Sequence, residues 1–146
     1  MIPPFDERGN LPPGIHRASW VELETRFGKT PWRRALLLGM REAFICLRRA
    51  GCRTVYVDGS FVTARTAPGD YDACWETAGV DLNLLDPALL DFSAGRRAQK
   101  QRYRGELFPA RMVADPEGTP FLELFQYDHA NDRPKGIVEI NLESEL

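Results

Sequence analysis

The sequence predicts an α+β domain, a mixed α/β sheet packed against helices, and three observations point to it. A long stretch of helical periodicity lies in the first third, between about residues 31 and 50. The short segments of two-residue alternation fall on both sides of a second helical stretch instead of in one run. Hydrophobic residues make up 43% of the chain and charged residues 27%, a balance that fills a core and keeps a solvated surface. A length of 146 residues suits a single domain spanning 1–146.

Residues 1–15 hold four prolines and two glycines with little apolar pattern, and they read as an extended arm on the surface or against the domain. Ser19 and Glu22 form a possible capping box, and the short helix they open closes at Gly28. Thr30-Pro31 starts the next helix, which carries Leu36, Met40, Ala43, Phe44 and Leu47 on one side and stops at Gly51. "RTVYVD", residues 53–58, is rich in β-branched residues and reads as a strand leading into Gly59-Ser60. "YDACWE", residues 71–76, reads as a second strand with Tyr71, Ala73 and Trp75 on one face.

Asp86-Pro87 is an N-cap and first-turn pair, and a helix is expected from there to Gly105, interrupted near residues 93–95. Its second half is basic. Beyond it, "LFPARMV" turning through "ADPEGTP" into "FLELFQYD" predicts a hairpin, and "GIVEINL" a last strand.

A net charge of −2 excludes wholesale electrostatic binding to nucleic acid, so any such partner must be met by a local patch. Cys46, Cys52 and Cys74 form no C-x-x-C pair, which argues against a disulfide framework or a structural zinc and for a reducing, cytoplasmic setting. No stretch is long and apolar enough for a membrane span.

The chemistry concentrates at "VYVDGSFVTARTAPGDYDACWE", residues 55–76. On a strand, Asp70 and Asp72 point the same way, the arrangement in which two carboxylates bind one or two Mg²⁺ ions. Gly59-Ser60 at the end of the neighbouring strand offers backbone N–H groups and a hydroxyl to a triphosphate. Turn chemistry alone also selects Gly, Ser, Pro and Asp, so the force of the pattern lies in its order: helix, strand, Gly-Ser, acidic strand.

That order, with Asp70-Tyr71-Asp72 nine residues beyond Gly59-Ser60, resembles the nucleotidyltransferases related to DNA polymerase beta. Over its whole length, through "LPPGIH", "DGSFVT", "PGDYD", "GELFPA", "LFQYD" and "KGIV", the chain also resembles a family of small bacterial proteins of unassigned activity that carry this core. The resemblance implies a nucleotidyltransferase-like fold, an NTP substrate with two Mg²⁺ ions, and catalytic, metal-binding carboxylates at Asp70 and Asp72 joined by a third acid on a later strand. Glu123 is the first choice for that acid, because Leu122 and Leu124 leave it on the open face; Glu139 and Asp128 follow. Asp58 departs from the pattern, since an apolar residue is usual before the glycine, and Ala64-Arg65 lies further from Gly-Ser than the pattern has it.

Within the basic run Arg96, Arg97, Lys100, Arg102 and Arg104, the pair Arg96 and Lys100 lies one turn apart and is assigned with Gly59 and Ser60 to the nucleotide; a solvated helix face is the plainer alternative. Lys135 lies where it could reach the phosphate pocket. His16 and His129 are read as surface or capping residues, and Trp20, Trp32 and Trp75 as packing.

The functional expectation is Mg²⁺-dependent transfer of a nucleoside monophosphate from an NTP to a protein or RNA hydroxyl, a tRNA included. The resemblance further implies work within a toxin–antitoxin pair. A non-catalytic module of the same fold, binding a partner protein as an antitoxin or regulator, is the second expectation, and a nucleic-acid binder using the basic helix the third.

Overall fold

The computed structural model describes residues 1–144 and 146, and its fold is α+β. The elements run β1 (Gly14–Ala18), α1 (Trp20–Phe27), α2 (Pro31–Arg49), β2 (Thr54–Asp58), β3 (Tyr71–Trp75), α3 (Ser93–Tyr103), β4 (Gly105–Pro109), α4 (Phe121–Leu124), β5 (Tyr127–Asp128), β6 (Arg133–Pro134) and β7 (Gly136–Asn141), with 3₁₀ turns at Ser60–Val62 and Pro87–Leu90. Five strands form a mixed sheet in the order β1-β7-β2-β3-β4, and β5 pairs with β6 separately. β1 is parallel to β7 and β4 is parallel to β3, while β2 runs antiparallel to both of its neighbours.

The helical signals hold. Ser19 accepts from the Glu22 amide and the Glu22 carboxylate reaches back to the Ser19 amide, which closes the capping box of α1. Thr30 caps α2 with Pro31 in its first turn, and Leu36, Met40, Ala43, Phe44 and Leu47 are all buried. They pack against Val55, Val57, Ala73, Trp75, Leu107, Val138 and Ile140, which project from one face of the sheet. On the opposite face Tyr56, Cys74, Phe108 and Ile137 gather a smaller core under Leu122 and Phe125.

Three expectations change. The arm expected over residues 1–15 ends in a strand, since Gly14 and Ile15 open β1, and the residues before them are docked, with Ile2 and Leu11 buried. The expected hairpin keeps its turn and the start of its first arm, but its arms do not pair: Val113 bridges Pro120 and Ala114 donates to the Thr119 carbonyl at 2.7 Å, while Leu107–Pro109 belong to β4, which pairs with β3. Residues 121–124 are a helical turn instead, because Phe121 and Phe125 must come round together, the one stacking on Phe108 at 3.9 Å and the other meeting it edge-on. The helix expected from Asp86 to Gly105 is interrupted where expected, near residues 93–95, by left-handed backbone at Ala94, Gly95 and Arg96, and what changes is that the part before the break is only a 3₁₀ turn.

Gly105 fixes where β4 begins. A Cβ there would lie 2.5 Å from the Tyr71 ring, so only glycine lets β4 start beneath that ring, in the register that sets Glu106 opposite Asp72. Among the described residues no helix is long and apolar enough to cross a membrane.

Candidate active site

β2 ends at Asp58 and turns at Gly59, whose φ of +82° is left-handed backbone. A Cβ at Gly59 would stand 2.3 Å from Asp72 Oδ2, so the Asp72 carboxylate lies directly against the turn. Ser60 then starts the 3₁₀ turn, closed by the Thr63 hydroxyl donating to the Ser60 carbonyl at 2.6 Å.

The loop from this turn to Asp70 is held from below by two residues of α2. The buried Arg33 guanidinium donates to the carbonyls of Phe61 at 2.6 Å, Thr63 at 3.0 Å and Arg65 at 2.5 Å. Trp32 Nε1 donates to the Pro68 carbonyl at 2.5 Å, so that tryptophan ties the loop where packing alone was expected. Burial lowers the Arg33 pKa, and the ring of carbonyl dipoles supplies the partners that a buried cation needs.

Three carboxylates stand in one row across the sheet. Asp58 of β2 pairs in register with Asp72 of β3, and Asp72 pairs with Glu106 of β4. All three side chains leave the same face, one strand spacing apart, about 4.8 Å. Asp70, immediately before β3, adds a fourth acid whose carboxyl is raised by burial and then by Glu106.

The cations around the row are unevenly shared. Lys135 Nζ lies 3.1 Å from Asp58 Oδ1, an ion pair with a largely buried carboxylate. Glu106 Oε1 takes Arg96 Nη2 at 2.8 Å, Arg96 Nε at 3.2 Å and Lys100 Nζ at 3.1 Å. Asp72, between them, has no ion pair among the described residues.

Burial pushes the Asp58 carboxyl up to about 6 against the relief from Lys135 and the Gly59 amide. Burial raises Asp72 further, reinforced by Asp70, by its hydrogen bond with Glu106 and by Asp58. At Glu106 burial acts upward too, but the bonds from Arg96, Asp72 and Lys100 outweigh it and hold the group below its usual value. A cation beside Asp72 would oppose its upward shift.

The structure therefore joins Gly59, Ser60, Asp70 and Asp72 as expected and brings Arg96 and Lys100 to them, on Glu106. It corrects the third acid. Glu123 is exposed on α4 and lines a separate cleft of about 490 Å³ with Asp115, Tyr127 and His129. Glu139 is paired with Arg17 at 2.9 Å, and Asp128 is spent on Asn10 and Asn131. The acid beside Asp72 is Glu106. Its signal in the sequence was the alternation in "GELFP", where Leu107 faces the core and Glu106 and Phe108 face away.

The oxygen-only donor set suits a hard cation such as Mg²⁺, and the excess of acids around Asp72 favours one. In their present arrangement, with Glu106 drawn onto Arg96 and Lys100, no three His, Cys, Asp or Glu side chains among the described residues form a group that could hold a metal ion.

A family of unknown function matches the chain over residues 3–141. No curated protein and no solved structure matches it.

Proposed function

Starting from a chain that belongs to the family of unknown function DUF6932, we propose that the acid row and the Gly59-Ser60 turn form a divalent-cation-dependent nucleotidyltransferase site. The observation that carries this reading is the register of Asp72 with Glu106, beside a turn that only glycine can make against the Asp72 carboxylate.

In this reading Asp70, Asp72 and Glu106 hold Mg²⁺, which when bound neutralises phosphate charge and lowers the pKa of an acceptor hydroxyl. The Gly59-Ser60 turn presents its amides and hydroxyl to the phosphates of an NTP. The acceptor oxygen bonds to the α-phosphorus as the bond to the bridging oxygen breaks, and pyrophosphate leaves. The hydroxyl proton passes to a carboxylate of the row that the cation leaves free. The acceptor is a hydroxyl of a protein or an RNA.

The test is NTP binding with and without Mg²⁺ or Mn²⁺, followed by a search for acceptor labelled from an α-labelled NTP. Binding should require the cation and should be lost in Asp70→Asn and Asp72→Asn while both variants stay folded. A wild-type chain with no cation-dependent nucleotide binding refutes the reading.

One observation favours a second reading. Glu106 is neutralised by Arg96 and Lys100, which is how a site that has given up catalysis would be stabilised. The chain is then a binding module, an antitoxin or regulator, whose complex with its partner protein survives Asp70→Asn and Asp72→Asn. The nucleic-acid reading loses the support of Arg102, which turns to Asp86 at 2.6 Å.

A further inference from the structure

Arg96 and Lys100 are placed unlike the partners of a settled core. Glu106, one negative charge, holds both Arg96 and Lys100, and all three of their close contacts fall on the single oxygen Oε1. Both cations crowd onto Glu106, with Asp70 within reach of their charge, while Asp72, beside it, has no ion pair among the described residues. The Arg96 and Lys100 side chains are 35% and 45% exposed against 16% for Glu106, so they can leave the acid for a ligand arriving from solvent without desolvating anything new. On the other flank Lys135 reaches in to Asp58, whose carboxylate is 95% buried and stands at the Gly59 turn. Lys135 thus arrives at the start of the phosphate turn, and Arg96 and Lys100 stand two strands away at the other end of the row.

Resting on the nucleotidyl-transfer reading, we infer that Arg96 and Lys100 are polyphosphate ligands of this site, parked on Glu106 until a divalent cation replaces them on that acid. The exchange makes cation and polyphosphate bind cooperatively: as Glu106 turns to the cation it releases its positive side chains for the anion. Without it, polyphosphate must compete with Glu106 for Arg96 and Lys100, and binding is weak.

Glu106→Gln separates this exchange from simple loss of a metal ligand, because it should strengthen polyphosphate binding in the absence of metal. The probe is inorganic tripolyphosphate, titrated in EDTA and in Mn²⁺ at fixed ionic strength. Wild type should bind weakly in EDTA and about tenfold more tightly in Mn²⁺, and Glu106→Gln should gain about tenfold in EDTA, the scale of a freed charge-assisted contact. Glu123→Gln makes the same change of net charge on α4 and should behave as wild type. Arg96→Gln/Lys100→Gln, changed only at partly exposed positions, should bind Mn²⁺ and lose the Mn²⁺-dependent gain for tripolyphosphate; it decides the matter should Glu106→Gln not fold. Metal-tightened binding in wild type with no gain in Glu106→Gln, or with an equal gain in Glu123→Gln, overturns the exchange alone. A wild type whose tripolyphosphate and NTP binding ignore metal overturns the exchange and the transfer reading together.

Discussion

Gly59 and Asp72 constrain each other. The left-handed backbone at Gly59 and the 2.3 Å that would separate its Cβ from Asp72 Oδ2 mean that Gly59→Ala must either move the carboxylate or open the turn. Urea denaturation should show a loss of about 1–3 kcal/mol, the range for a side chain forced into this backbone region. Asp72 makes a separate prediction about pH. Its folded pKa is raised by burial first and then by Asp70, Glu106 and Asp58, so the folded chain binds this proton more tightly than the unfolded one. The resulting stability is full below the ordinary carboxylate range and is lost as pH rises through the raised value. Thermal midpoints of wild type should therefore fall from mildly acidic to mildly alkaline pH. Asp72→Asn should fall less, its remaining slope coming from Asp58, which loses its own contribution as pH passes about 6. Equal slopes in the two proteins would contradict the assigned shift.

α2 does more than bury its apolar stripe, since its first turn carries the loop that separates the phosphate turn from Asp70. Arg33→Met keeps much of the side chain's bulk but leaves the Phe61, Thr63 and Arg65 carbonyls without their donor. A loss of about 2–4 kcal/mol is expected, with faster proteolysis within residues 61–68 than in wild type. Such elements show which parts of the molecule the sequence makes legible. α1 and α2 could be read because Ser19, Glu22, Thr30, Pro31 and the apolar spacing are local signals, and each acts within four residues of itself. Asp70 and Asp72 were legible for the same reason. Glu106 was not, because its place beside Asp72 depends on β4 running parallel to β3 from a glycine set under Tyr71, a pairing across more than thirty residues that no local pattern encodes. Arg33 was hidden too: in a helix rich in arginine, nothing nearby says which guanidinium turns inward. The second arm of the hairpin expected over residues 107–128 failed because the alternation in "FLELFQ" fits a helical turn about as well as a strand, and the aromatic stack on Phe108 decides between them.

Across the whole molecule, the N-terminal segment is structural, not decorative. Ile2 and Leu11 sit in the main core, and Arg26 donates to the carbonyls of Ile2 and Pro3. Removing residues 1–12 while keeping β1 should lower stability by about 2–4 kcal/mol, after allowing for partial burial in the unfolded chain. Chemical denaturation of the shortened chain measures it, and an unchanged midpoint would show the segment to be dispensable. The acid row should survive the deletion, since β2, β3 and β4 hold it without help from β1.

β7, the last of the described elements, lies in the interior of the sheet, with β1 on one side and β2 on the other. Arg17 cannot meet Glu139, nor Tyr56 the other side of that residue, until the ribosome has released the chain past it. At about 5–20 residues per second of synthesis, β1 and the β7-facing edge of β2 wait for several seconds with their backbone groups open. Over that interval the nascent chain presents two unpaired edges, one on each side of a missing strand, and these are where a chaperone would be needed to prevent pairing with another nascent copy.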